Sequence, residues 1–141
     1  MRVQVSIEIN RAVADVWHFW AVEHVHNHPR WDPDVELEQI SEGPMGFGTR
    51  ILRRNTRWET PVDGEMEVVE FEPERAIAFS IHDANMEMHG RATFEPNEPE
   101  WTQLTVTTEI PGLDDPAAHE LITKGMERSI ANVKTLVEAE T

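Results

Sequence analysis

Residues 3–9, Val-Gln-Val-Ser-Ile-Glu-Ile, alternate strictly between apolar and polar positions, which predicts a strand with one buried face. Asn10 follows where a helix N-cap belongs, and Val13, Val16, Trp17 and Trp20 then recur at helical spacing. The expected element is a short amphipathic helix that buries two indoles. From Glu23 to Asp34 the pattern breaks, and Pro29 and Pro33, four apart, predict at most one short helical turn there. Strand-like runs occupy 35–41, 49–60, 65–71, 76–83, 86–95 and 101–110, separated by turn residues. No helical period interrupts this middle series, so its sheet is expected to be antiparallel.

The period changes again near the C-terminus. Asp115 before Pro116 supplies a capping carboxylate and a proline at the first helical position. Leu121, Ile122, Met126, Ile130, Val133 and Val137 then form one stripe, predicting a helix of about 24 residues, near 36 Å long. A helix of that length needs a broad partner, and the sheet is the broad partner on offer. The fold class is therefore α+β. A seven-stranded curved antiparallel sheet is expected to wrap around the long C-terminal helix, with two short helices after strand 1. With 141 residues and neither repeats nor linkers, residues 1–141 read as one domain.

Composition narrows the function classes. Twelve basic against 27 acidic residues leave a net charge of −15, which repels phosphate backbones and anionic lipid. No nucleic-acid partner and no membrane insertion are expected. The absence of cysteine excludes disulfides, thiolate ligands and a cysteine nucleophile, and the absence of tyrosine excludes a phenolic acid. The first residues lack the apolar core of a signal peptide, so a cytoplasmic location is expected, as a monomer or homodimer.

Three stretches resemble successive landmarks of the SRPBCC superfamily: Ile9 to Phe19, Asn27-His28-Pro29-Arg30-Trp31-Asp32, and Gly43-Pro44-Met45-Gly46-Phe47-Gly48-Thr49. Within it the chain is most similar to the polyketide cyclase/dehydrase-like branch, and Val68 to Arg75 fits that pattern too. The resemblance implies a helix-grip fold in which a curved sheet holds the last helix around an apolar cavity of a few hundred Å3. It also implies an apolar or aromatic small molecule as ligand, with no cofactor. Three functions follow from it: cyclase/dehydratase chemistry of aldol or dehydration type, a non-catalytic carrier or sensor of lipid-like ligands, and a protein-partner-binding module. Fold alone does not choose among these.

Candidate chemistry is spread over several elements. Strand parity puts Arg53 and Arg57 on one face and Arg50 and Arg54 on the other, so one pair faces solvent while an inward arginine such as Arg53 would bind an enolate or carboxylate. His82 and His89 are the leading imidazole candidates for acid/base work, although parity also fits them to a wet outer face. His24, His26 and His28 have the spacing of a weak metal site, with Asp32 or Glu23 as a carboxylate ligand. Trp20, Trp31, Trp58, Met66, Met86, Met88 and Met126 suit an adaptable ligand-binding wall and equally suit ordinary core. The glycines of 43–48 precede a strand rather than a helix, which makes a hairpin turn and not a phosphate cradle.

Overall fold

The computed structural model describes residues 1–57 and 59–141. Strand β1 (Arg2–Ile9) is followed by helix α1 (Val13–Trp17), a π-helical turn (His18–Val22) and helix α2 (His24–Trp31). Strands β2 (Val35–Gln39), β3 (Arg50–Asn55), β4 (Val62–Glu72), β5 (Ala76–Asp83), β6 (Met86–Asn97) and β7 (Trp101–Glu109) come next. Helix α3 (Pro116–Glu140) closes the chain. The strands form one curved antiparallel sheet in the order β1-β7-β6-β5-β4-β3-β2, with α3 gripped against it, which is the helix-grip fold.

Several local expectations change in the folded chain. Asn10 does not cap α1. Ala12 holds the N-cap position without a side-chain bond, and the Asn10 N–H donates instead to Glu138 Oε2 at 2.8 Å, tying the end of β1 to α3. The stretch 24–31 is a two-turn helix despite Pro29. Proline near a helix C-terminus removes a single backbone donor. That loss is offset by the burial of His24, Asn27 and Trp31 on one face. The strand expected over 49–60 ends at Asn55; Thr56 N–H still reaches the Asp34 carbonyl at 2.8 Å, and the Arg57 N–H then donates to the Asn55 side chain at 2.9 Å rather than to β2. Leu121 leaves the apolar stripe of α3 and stands in solvent, while Ile130, Val133 and Val137 are buried. Asp115 caps α3 as its type predicts, its Oδ1 accepting from Ala117 N–H at 3.0 Å.

Paired residues in an antiparallel ladder point to the same face, so register converts directly into rows across the concave side. One inward row is Phe71, Ile77, Ala92, Val106 and Val5, and the next is Val68, Phe79, Gly90, Thr108 and Val3. Gln39, Ile51, Met66, Ile81 and Met88 form the third. The fourth is Leu37, Arg53, Gly64, Asp83 and Met86, where charge enters the concave face. Glu36, Glu65, Glu67, Arg50 and Arg54 fall on the outer side and make ordinary surface pairs such as Arg50–Glu65 and Arg54–Asp63.

Candidate functional site

The aromatic floor of the grip comes from α1, the π turn and α2. In the π turn the Glu23 N–H reaches back five residues to the His18 carbonyl at 2.9 Å, and Phe19, Trp20 and Ala21 are all buried. Such π turns insert locally into helices and often mark functional segments. Trp20 stacks on Trp31 with ring centroids 5.5 Å apart and meets Phe94 edge-on at 6.0 Å. Asn27 holds the turn to α2: its Nδ2 donates to the Phe19 carbonyl at 2.9 Å, and its Oδ1 accepts from Arg30 at 2.8 Å. Arg30 also pairs with Glu140 on α3, and Asn132 of α3 donates to the Trp31 carbonyl at 3.2 Å. The Asn27-to-Asp32 landmark is thus the joint that fixes α2 against the long helix.

Two imidazoles lie on this floor in series. His24, fully buried and 4.7 Å from the Phe79 ring, has its Nδ1 2.8 Å from the Trp20 carbonyl. A carbonyl only accepts, so His24 Nδ1 carries the proton and its Nε2 is left as an acceptor. His28 Nδ1 lies 2.9 Å from that Nε2 and therefore donates to it. The remaining atom, His28 Nε2, is a bare lone pair with no hydrogen-bond partner among the described residues. Burial pushes His24 down to about 4, against the partial opposition of its bond to Trp20. His28 is also held well below the ordinary imidazole value, by desolvation first and then by the charges of His24 and Arg53. Both rings are therefore neutral at neutral pH. His28 also stacks on Trp31 at 5.2 Å.

On the concave face an ion pair crosses a strand. Arg53 on β3 and Asp83 on β5 are not neighbours in the sheet; Gly64 on β4 lies between them in the same row. The two side chains nevertheless meet, with only 11% and 8% of their surfaces exposed. Gly64 makes this contact possible. A Cβ there would overlap both Asp83 Oδ1 and the His82 carbonyl, so glycine leaves the space that Asp83 occupies. One Arg53 nitrogen donates to Asp83 Oδ2, while Arg53 Nε and Asp83 Oδ1 are buried without a partner among the described residues.

The grip is closed at one end and open at the other. Under α1 and α2 the inward side chains Phe79, Ala92, Phe94 and Leu104 are buried. Toward the N-terminal half of α3, inward Ile81, Met88, Val106 and Thr108 keep part of their surface, as do Ile122 and Met126 of the helix itself. Met86, beside Asp83, is 46% exposed. Trp17, Trp20, Trp31, Phe79 and Phe94 are buried and close the floor with their own rings. Two concavities among the described residues lie on other faces. One, of about 250 Å3, is on the outer face around Arg91, Thr105 and Thr107; the other, of about 180 Å3, is beside the start of α3.

The predicted site residues therefore separate. Arg53 faces inward, with Trp20, Trp31, Met66, Met88 and Met126 around the same concave side. His82 and His89 fall on the outer face, His82 3.3 Å from Ser80 Oγ and His89 3.6 Å from Glu87, so neither joins Arg53. His26 is exposed, whereas His24 and His28 bond to each other, so the trio does not converge. Among the described residues no group of three or more His, Asp or Glu is placed to hold a metal ion. Trp58 lies outside the described residues. Sequence reading overlooked Asp83, Gly64 and the His24–His28 relay. Parity could have found Asp83, since Ile77, Phe79, Ile81 and Asp83 share one face.

This order of elements, with a family signature across residues 1–138, matches the family described as polyketide cyclase / dehydrase and lipid transport. The chain belongs to that family. Its fold is shared with a START superfamily protein from Mycobacterium smegmatis, at a TM-score of 0.82 and 13% identity over 99% of both chains. The protein TTHA0849 from Thermus thermophilus is similar at a TM-score of 0.79 and 18% identity, covering 100% of this chain and 99% of that one. Ara h 8.0201 aligns at a TM-score of 0.79 and 10% identity over 99% of each chain. At these identities the likeness is one of fold. A search of the curated proteins finds no match. Among the described residues no helix of this cyclase/dehydrase family member is long and apolar enough to cross a membrane.

Proposed function

We propose that the protein binds an apolar or aromatic small molecule between the sheet and α3, and that it acts on that molecule by cyclase/dehydratase chemistry. The observations that carry this reading are His28 Nε2, a neutral base without a hydrogen-bond partner among the described residues, and an inward Arg53 whose charge acts on that ring, both within an aromatic grip. Trp20, Trp31, Met66, Met88 and Met126 form the adaptable wall, with Met86 at the mouth. Entry of a ligand needs α3 and the methionines to give way, since aromatic rings fill the floor.

In this reading the substrate's carbonyl oxygen accepts a hydrogen bond from Arg53, which polarises the carbonyl. His28 Nε2 removes a proton from the neighbouring carbon, and the His24 relay back to the Trp20 carbonyl orients the ring and supports its positive charge. For a dehydration, the enolate then expels the β-hydroxide. That hydroxide takes the proton back from His28 and leaves as water, so the base is regenerated and no redox partner is needed. A base with so low a pKa is weak, which restricts the substrate to carbons strongly acidified by adjoining carbonyls.

The alternative, a carrier of lipid-like ligands, is favoured by one feature: Arg53 and His28 are already engaged by Asp83 and His24. Two measurements test the proposal. Native mass spectrometry of untagged protein, with denaturing analysis of anything released, should reveal a bound apolar organic molecule. The neutral dye N-phenyl-1-naphthylamine should bind saturably, one per chain, and Met126→Arg should weaken it. Absence of both a co-purified molecule and saturable dye binding would end the ligand-binding reading. Dye binding without turnover of any aromatic β-hydroxyketone would leave the carrier.

A further inference from the structure

Resting on the ligand-binding reading above, we propose that the Arg53–Asp83 pair makes this grip selective for uncharged ligands that carry a hydroxyl β to a carbonyl, and that it rejects carboxylates of the same shape. The inward arginine invites the opposite reading, because a guanidinium alone in an apolar pocket is an anion site. Here the guanidinium is not alone. Asp83 crosses over Gly64 to meet it, so the pair is neutral as a unit. An incoming carboxylate would lie beside the Asp83 carboxylate in a medium of low dielectric, and like charges repel strongly there.

The unused atoms define what fits instead. Arg53 Nε is a buried donor and Asp83 Oδ1 a buried acceptor, each without a partner among the described residues. Buried polar atoms in folded proteins are nearly always paired, so two orphans on a single ion pair mark a place for one more donor and one more acceptor. A carbonyl oxygen accepts from Nε–H, and a hydroxyl on the same molecule donates to Oδ1. The inventory is therefore one donor and one acceptor with no net charge, which a neutral hydroxy-carbonyl compound complements and a carboxylate does not. Gly64 is the specificity-determining residue behind this arrangement, since any side chain there displaces Asp83 and frees the guanidinium.

The test is a matched pair of probes titrated against tryptophan fluorescence: 4-hydroxy-4-phenylbutan-2-one and 3-hydroxy-3-phenylpropanoate, which differ in a methyl group against a carboxylate oxygen. Titrations in about 0.15 M and about 1 M salt separate local repulsion from the long-range repulsion of a protein of net charge −15. The ketone is expected to bind at least about tenfold tighter than the carboxylate in both salts. Asp83→Asn keeps an acceptor but unmasks the guanidinium, and should reverse the preference; Asp83→Ser serves if that variant does not fold. A carboxylate that binds the wild-type protein as well as the ketone in high salt overturns the proposal, as does a preference unchanged by both substitutions. If N-phenyl-1-naphthylamine binds but neither probe does, this proposal fails and the ligand-binding reading stands. If the dye does not bind either, both fail.

Discussion

His24 should make the protein lose stability on mild acidification. The ring is enclosed by Trp20, Trp31 and Phe79, and burial lowers its pKa from 6.5 to about 4. The unfolded chain therefore takes up a proton on this residue between those two values while the folded chain does not. Stability from this source is complete above pH 6.5, falls as the pH drops toward 4, and changes no further below it. At roughly 1.4 kcal/mol for each unit of pKa difference, the loss from His24 approaches about 3 kcal/mol. For a chain of this size that is a fall in Tm of roughly 6–12 °C. His28, bonded to His24 and facing Arg53, is shifted in the same direction and steepens the slope. Glu70, Glu138 and Glu140 are held below the ordinary carboxylate range by Arg91, by the Asn10 N–H with Lys134, and by Arg30 respectively, so their contributions disappear only at lower pH. Urea unfolding followed by tryptophan fluorescence at several values between pH 7.5 and 4.5 measures the slope. His24→Phe keeps the ring but removes the titration and the two hydrogen bonds. The variant should be about 1–3 kcal/mol less stable near pH 7.5 and should draw level with, or pass, the wild type near pH 4.5. Wild type and variant losing stability in parallel would refute the reasoning.

Gly64→Ala should cost about 1–3 kcal/mol, seen as a lower urea midpoint, because its Cβ would overlap backbone and carboxylate oxygens of β5; a change under about 0.5 kcal/mol would mean that β4 and β5 separate freely there. Asp115→Ala should remove roughly 1 kcal/mol by leaving the Ala117 N–H of α3 uncapped, and Asp115→Asn should recover most of it. Salt should raise the melting temperature from low to molar sodium chloride, since a net charge of −15 repels itself and counter-ions screen that repulsion. A flat or falling melting temperature would show that specific ion pairs such as Arg53–Asp83 and Arg30–Glu140 outweigh the general field.

What the one-dimensional pattern determines here is the set of elements and their faces. Alternation placed β1 and the inward set Ile77, Phe79 and Ile81, and the Asp115-Pro116 start with its apolar stripe placed α3, because these signals depend on local geometry and burial alone. The same parity put Arg53 opposite Arg54 and grouped His82 with Ser80, yet left open which group faced inward. Only the tertiary structure decided that. Sheet curvature and the packing of α1, α2 and α3 select one face as concave, and selecting it sends Arg53 in and His82 and His89 out. Helix α2 survives Pro29 because burial of its other face outweighs one missing backbone bond, a balance that is invisible in local propensity. The Arg53–Asp83 contact joins residues 30 apart across an intervening strand, and the His24–His28 relay depends on a backbone carbonyl exposed to a side chain beside a π turn. Both are relations among groups whose separation is set by register and packing, and neither has a period along the chain by which it could be read.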